Sequence, residues 1–379
     1  MLEPVAIEER LDPARREVRA FIADLRAAGS ISEDDGGALR GASPEFSRTV
    51  AARGWIGMTF PSAYGGHDRT ALERFSVIEE MLAAGAPIGA HWSADRQTGP
   101  TILLFGTEEQ RQRFLPAIAA GECYFSLGMS EPDAGSDLAS VRTRAERADG
   151  GWLVTGTKIW TSGAHRSDFF AVLCRTSQAE DRHNGLSQLI VDLRSPGVTI
   201  NPIEMLDGSS EFNEVVMEDV FVPDSMVLGE IGRGWQQVTS ELAFERASPD
   251  RYMSSYRLFE VFLREWVEEH ELEPSAVEAI GRITAKYWLI RELSMAVAKT
   301  MDTGQAPAVE AALVKDLGTN FEREVVDTVR TIVDAEIDLE SDSAFEQILA
   351  QSILLSPSYT IRGGTTEVLR SVIAKKLRP

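Results

Sequence analysis

The sequence predicts an α+β protein built as three successive blocks: an N-terminal helical domain, a middle β domain and a C-terminal helical bundle. Three observations lead there. Apolar residues recur at helical spacing through the first third, the period drops to two from about Cys123, and long helical patterns return after Gly232-Arg233-Gly234. The blocks divide near 1–122, 123–230 and 231–379, and a chain of 379 residues is too long for one ordinary core.

In the first block, Arg15 to Ala27 carries a stripe of Val18, Phe21, Ile22 and Leu25 and runs out near Gly29. Thr70 to Ala84 repeats the pattern with Phe75, Ile78, Met81 and Leu82. Thr107-Glu108-Glu109-Gln110 has the form of a capping box before an apolar-periodic stretch that Gly121 closes. In the second block, Trp152 to Lys158, Phe169 to Cys174, Leu186 to Leu193 and Glu214 to Met217 read as strands. Asp149-Gly150-Gly151 and Ser195-Pro196-Gly197 supply turns between them. In the third, helices are expected over Trp235 to Ala247, Ser275 to Thr303, Ala308 to Ala335 and Thr365 to Lys376, and Pro307 suits the start of one of them. Several long helices closing a chain make a bundle.

Composition removes several function classes. Asp plus Glu number 59 against 38 Lys plus Arg, a net charge of −21, so phosphate-rich nucleic acid and anionic membrane are repelled. A phosphorylated ligand remains open to a local arginine or a helix N-terminus. Two cysteines, Cys123 and Cys174, make neither a disulfide framework nor a metal cluster, and the five histidines lack ligand spacing. No apolar run approaches the ~20 residues of a membrane span, and the acidic N-terminus lacks the basic and apolar regions of a signal peptide. The expectation is a cytoplasmic protein without metal.

Three distant segments carry the chemistry. Ser126-Leu127-Gly128-Met129-Ser130-Glu131-Pro132-Asp133-Ala134-Gly135-Ser136-Asp137 combines small residues and hydroxyls that let a backbone approach a flat ligand. Gly156-Thr157-Lys158-Ile159-Trp160-Thr161-Ser162-Gly163-Ala164 ends a strand in an aromatic ring followed by two hydroxyls, which suits a ring system with a polar edge. Ile361-Arg362-Gly363-Gly364-Thr365-Thr366-Glu367-Val368-Leu369-Arg370 precedes a terminal helix that Thr365 or Thr366 can cap. Taken singly, each also reads as a loop, a core tryptophan or a helix cap.

Together they resemble the acyl-CoA dehydrogenase family, and the likeness covers nearly the whole chain. It runs from Pro61-Ser62-Ala63-Tyr64-Gly65-Gly66 through Leu104-Phe105-Gly106-Thr107-Glu108-Glu109-Gln110 to the C-terminal motif, with the Ser-Glu-Pro-Asp-Ala-Gly-Ser-Asp run the most specific signal. The resemblance implies a middle β-barrel, a C-terminal four-helix bundle and FAD held between them. It implies lipid metabolism, with an acyl-CoA oxidised to the trans-2-enoyl-CoA and electrons passed to an electron-transfer flavoprotein. Carried over by position, Leu127, Met129 and Ser130 contact the isoalloxazine. Trp160 covers the flavin, and Thr161 or Ser162 bonds its edge. Ser136 lines the acyl-CoA entrance, and Thr365 with Glu367 touches the dinucleotide.

Many members place the catalytic Glu in the C-terminal motif, where this chain reads Arg362-Gly363-Gly364-Thr365. A second branch, which includes the isovaleryl- and long-chain enzymes, places it on a bundle helix directly before an Arg. Leu242-Ala243-Phe244-Glu245-Arg246 has that form, so Glu245 is the expected base and Arg246 its substrate-side neighbour. A backbone N–H near Gly363 is expected to polarise the thioester carbonyl. Pro249, four residues on, offers no N–H to the Glu245 carbonyl and should break the helix just past the base.

The chain departs from the family in places. It has Trp-Thr-Ser where many members have Trp-Ile-Thr, and Ala243 where relatives often have Asp. The Arg-x-x-Phe-Gly and Gln-x-x-Gly-Gly-x-Gly segments that grip the FAD adenosine half across a subunit interface are missing. The corresponding regions read Leu258 to Phe262 and Asp334 to Asp338. Hence a homo-oligomer with substituted contacts and a heterotetramer with a homologous subunit are both open. So are a flavin oxidase or monooxygenase on the same fold, and a non-catalytic partner subunit.

Overall fold

The structure is a computed structural model that describes residues 5, 13–32, 36–37, 40–305, 307–333 and 338–377, with the side chains of 241–245 and 377 outside that description. In chain order the first helices are α1 (Pro13–Ala27), α2 (Pro44–Ala51), α3 (Ala71–Ala83), α4 (Gly89–Ser93), α5 (Gly99–Phe105) and α6 (Glu108–Ala119). Strands follow: β1 (Phe125–Gly128), β2 (Arg144–Ala148), β3 (Gly151–Ser162), β4 (Phe169–Arg175), β5 (Leu186–Asp192), β6 (Val198–Ile203), β7 (Phe212–Pro223) and β8 (Val227–Leu228). The chain closes with α7 (Gly234–Glu245), α8 (Tyr256–Val261), α9 (Val267–Glu269), α10 (Pro274–Met301), α11 (Ala308–Val333), α12 (Ala344–Tyr359) and α13 (Thr366–Leu377). The expected order of helical, β and helical blocks holds. The tail of the third expected helix, 334–335, lies outside the described residues, as does most of the Asp334 to Asp338 segment.

These elements form two compact units: 38–70 with 87–242, and 1–37 with 71–86 and 243–379. The first holds the sheet, in the order β6-β7-β3-β2-β4-β5-β8, with β1 lying parallel on β4. Alternation fills its core. Trp152 and Val154 of β3, Phe170 and Val172 of β4, and Val215 and Met217 of β7 are buried beside Phe114, Leu115 and Ile118 of α6. The capping box is present as expected: Thr107 Oγ1 accepts from Gln110 N, and Gln110 Oε1 accepts from Thr107 N. Gln110 Nε2 also donates to the Ser225 and Val227 carbonyls at 2.8 Å each, tying the start of α6 to the segment around β8.

The second unit joins the two early helices α1 and α3 to α8–α13. Its centre is a buried carboxylate on α3. Glu79 accepts from Arg15 of α1 and, through its two oxygens, from Nε and Nη2 of Arg291 on α10 at 2.7 and 2.9 Å. The Tyr252 hydroxyl donates to it at 3.2 Å. Periodicity places Glu79 on a helix, and only the packing shows that it lies among cations.

Candidate functional site

The residues singled out above fall into two sets, one in each unit. In the sheet unit, Leu127 is part of β1, and Met129 and Ser130 follow it, all three partly exposed. Gly128 between them is required by packing, since a Cβ there would collide with the Phe170 ring. On β3, pairing with β7 slips between Lys158 and Thr161, and Trp160 in that bulge has φ of +61°. A non-glycine residue in this region costs about 1–3 kcal/mol and marks a place where a side chain is re-aimed. The Trp160 ring is 55% exposed and meets Phe212 edge-on.

Thr161 turns the other way. Its Oγ1 is buried and has no hydrogen-bond partner among the described residues, whereas Ser162 is exposed. A buried hydroxyl left unbonded costs about 1–3 kcal/mol. Ser136 is exposed in the loop where Asp137 accepts from Ser140 and Arg182.

In the helical unit, Glu245 is the last residue of α7, where the helix ends before the 3₁₀ turn Pro249–Arg251. That is the break expected from the proline. The Glu245 side chain lies outside the described residues. Arg246, next to it, is buried, and burial lowers its pKa below the ordinary arginine value. Gly363 and Gly364 have φ of +63° and +100°, a left-handed pair between α12 and α13 that side chains disfavour. Arg362 anchors this turn from one side, donating to Glu322 at 3.0 Å and to Ser254. Thr365 caps α13 by accepting from Val368 N at 3.4 Å, Thr366 Oγ1 is buried without a partner among the described residues, and Glu367 is exposed.

Sequence reading missed Lys315. It is fully buried on α11 and donates to the Gly364 carbonyl at 2.7 Å, anchoring the turn from beneath. The available signal was a lysine inside the stripe of Ala311, Ala312, Val314 and Gly318. Burial, with Arg251, Arg362 and Arg246 nearby, brings its pKa down to about 6, so the folded protein holds a largely uncharged lysine at neutral pH. The unfolded chain keeps the proton up to the ordinary value of 10.5, so stability rises with pH between about 6 and 10.5. Lys315→Met removes that dependence. Urea unfolding at about pH 6.5 and about pH 9 should show the wild type gaining on the variant as pH rises, by at most about 1.4 kcal/mol per pH unit. An equal gap at both pH values would mean that Lys315 stays charged when buried.

A cavity of about 520 Å³ lined by Tyr256, Phe259, Arg264, Tyr287 and Trp288 holds none of the site residues expected from the sequence. Among the described residues no group of His, Cys, Asp and Glu is placed to hold a metal, and no helix is long and apolar enough to cross a membrane.

Known proteins match along the whole chain. The acyl-CoA dehydrogenase N-terminal, middle and C-terminal domains match residues 9–122, 126–220 and 232–378. Acyl-CoA dehydrogenase IpdE1 of Mycobacterium tuberculosis is 32% identical over 96% of this chain and 96% of its own length. Acyl-CoA dehydrogenase FadE34 of the same organism is 33% identical over 89% of this chain, which spans only 46% of that longer relative. Among solved structures, the Tcur3481-Tcur3483 steroid ACAD is 30% identical, with a TM-score of 0.85 over 97% of this chain and 98% of its own. The ChsE4-ChsE5 complex from Mycobacterium tuberculosis is 28% identical, with a TM-score of 0.82 over 100% of both chains.

Proposed function

The chain belongs to the acyl-CoA dehydrogenase family, and from that membership we propose that it oxidises an acyl-CoA to its trans-2-enoyl-CoA, with FAD as cofactor and an electron-transfer flavoprotein as acceptor. The observation that carries the reading is a complementary pair. A glycine stands at 363 in a left-handed turn, and a glutamate ends α7 at 245 directly before a buried arginine.

Glu245 is the base that takes the α-proton. The Gly363 N–H donates to the thioester carbonyl, and with no side chain at that position the carbonyl can come close to the backbone. Arg246 keeps a cation beside the base on the substrate side, and Ser136 lines the acyl-CoA entrance. The residues of the sheet unit fit a flavin: the orphaned Thr161 hydroxyl suits its polar edge, the exposed Trp160 ring suits a cover, and Leu127, Met129 and Ser130 suit the ring face. Ser162 is the weaker candidate for the edge because it faces solvent. Thr365 and Glu367 are assigned to the dinucleotide. Bound FAD would supply the hydride acceptor for the β-hydrogen. The reading keeps the three-domain division at 1–122, 123–230 and 231–379 and a cytoplasmic location.

The adenosine half of FAD lacks its usual grip, and two solved relatives are named as pairs of different components. Both facts support a heterotetramer in which a homologous subunit supplies the missing contacts. The chain purified alone should then carry little flavin and gain it on co-expression with a homologous subunit. The loaded protein should bleach at the flavin band on addition of one member of an acyl-CoA panel. That panel should include a steroid side-chain thioester, since one relative is named a steroid enzyme. Full flavin occupancy with turnover, and no second polypeptide, would remove the need for a partner. Absence of flavin both alone and with the subunit would overturn the reading as a whole.

A further inference from the structure

We propose that the buried ion pair Lys158–Glu131 is a positioning device that sets the backbone of Met129 and Ser130 against the strand carrying Trp160. This inference rests on the flavin reading above and goes beyond it, since neither residue of the pair is assigned a contact with ligand.

The geometry is that of a clamp with three consecutive fastenings. Lys158 Nζ donates to the Met129 carbonyl at 3.1 Å and to Glu131 Oε1 at 2.9 Å. Between these two, Ile159 N donates to the Ser130 carbonyl at 2.9 Å. The Glu131 carboxylate also accepts from Thr143 N at 2.8 Å and from Arg142 N at 2.7 Å, which anchors it to the segment leading into β2. Lys158 is fully buried and Glu131 nearly so. Burial by itself would push Glu131 up, but Lys158 and the two backbone donors hold it below the usual carboxylate range.

Stability alone is a poor reason for such a pair. Desolvating two charges costs several kcal/mol per ion, and well-packed apolar residues of the same volume often serve as well or better. An apolar pair would not do two things, however. It would not hold the Met129 carbonyl, and it would not gather residues 129, 131, 142 and 143 about one point. In a trans peptide the C=O and the following N–H point in opposite directions. Turning the Met129 carbonyl onto Lys158 therefore aims the Ser130 N–H away from Lys158. On the other strand of the clamp, Lys158 is the last residue in register with β7 before the bulge that carries Trp160 in its left-handed conformation. One ammonium group thus fixes a backbone donor and sits at the start of the bulge that aims the aromatic ring.

The experiment compares wild type, Lys158→Met, Lys158→Arg and Glu131→Gln, each with the homologous subunit if flavin loading needs it. FAD affinity and the visible circular dichroism of bound flavin are measured at a temperature where thermal unfolding shows each protein folded. Weakening of FAD binding by about tenfold or more in Lys158→Met, a changed flavin dichroism and partial rescue in Lys158→Arg are the expected results. A folded Lys158→Met that binds FAD as the wild type does, with the same dichroism, would overturn the proposal and leave the flavin reading intact. If Lys158→Met does not fold, the same two outcomes are read from Glu131→Gln. A wild type that takes up no FAD under either condition overturns both.

Discussion

Replacing Glu245 with Gln is expected to lower turnover by about 10³-fold while FAD and acyl-CoA still bind. The substitution keeps the size of the side chain and removes only its capacity to take a proton, and a positioned general base contributes about 10²–10⁴. Stopped-flow bleaching of the flavin by acyl-CoA is the direct measurement, because it reports the half-reaction that needs the base. Bleaching at the wild-type rate in Glu245→Gln would remove Glu245 from the mechanism. A companion pair tests the geometry. Glu245→Gly should be inactive, and adding Gly363→Glu should restore part of the activity if positions 245 and 363 face one substrate carbon. The left-handed φ of +63° at Gly363 is unfavourable for a glutamate, so full recovery is not expected.

Glu79→Ala should destabilise the helical unit by about 3–5 kcal/mol, the usual consequence of removing one partner from a buried ion pair. One carboxylate here serves three groups. Arg15 and Arg291 both donate to it, and so does the Tyr252 hydroxyl, whose pKa is pushed well above the ordinary value by burial first and by Glu79 second. Its loss leaves two guanidinium groups without their main acceptor in a buried setting. Urea unfolding followed by far-ultraviolet dichroism gives the difference directly. A loss below about 1 kcal/mol would show that Glu80, which also accepts from Arg15 at 3.1 Å, takes over the role.

The helical elements were mostly legible because their signals are local. A stripe at helical spacing located α1, α3, α10 and α11, and the capping box at Thr107 marked the start of α6. The helices not expected were α2, α4, α5, α8, α9 and α12, most of them under nine residues. In the long one, α12, Ile348, Ile353 and Leu354 fall outside the buried line of Phe345, Leu349, Leu355 and Tyr359, and Pro357 lies inside it, so the stripe is blurred. Strands β1, β2 and β6 are four to six residues long, which gives a two-residue period little room to show. Buried charges were the other blind spot. Lys158 shares the inward parity of Trp152 and Val154 on β3, yet a lysine in a strand reads as solvent-facing until its carboxylate partner is known.

The sequence by itself determined the order of helical and β blocks and the family, and it nominated Glu245 as the candidate base, because these depend on residue type and spacing along the chain. Only the tertiary structure decided that the two early helices α1 and α3 belong in one unit with the C-terminal helices. It alone showed that Glu79 joins three cationic or hydroxyl partners, that Lys315 lies under the Gly364 carbonyl, and that Lys158 fastens the Met129 segment. The physical reason is separation along the chain. Arg291 lies 212 residues from Glu79 and Lys158 lies 27 from Glu131, and a contact between distant residues leaves no periodic trace in either segment.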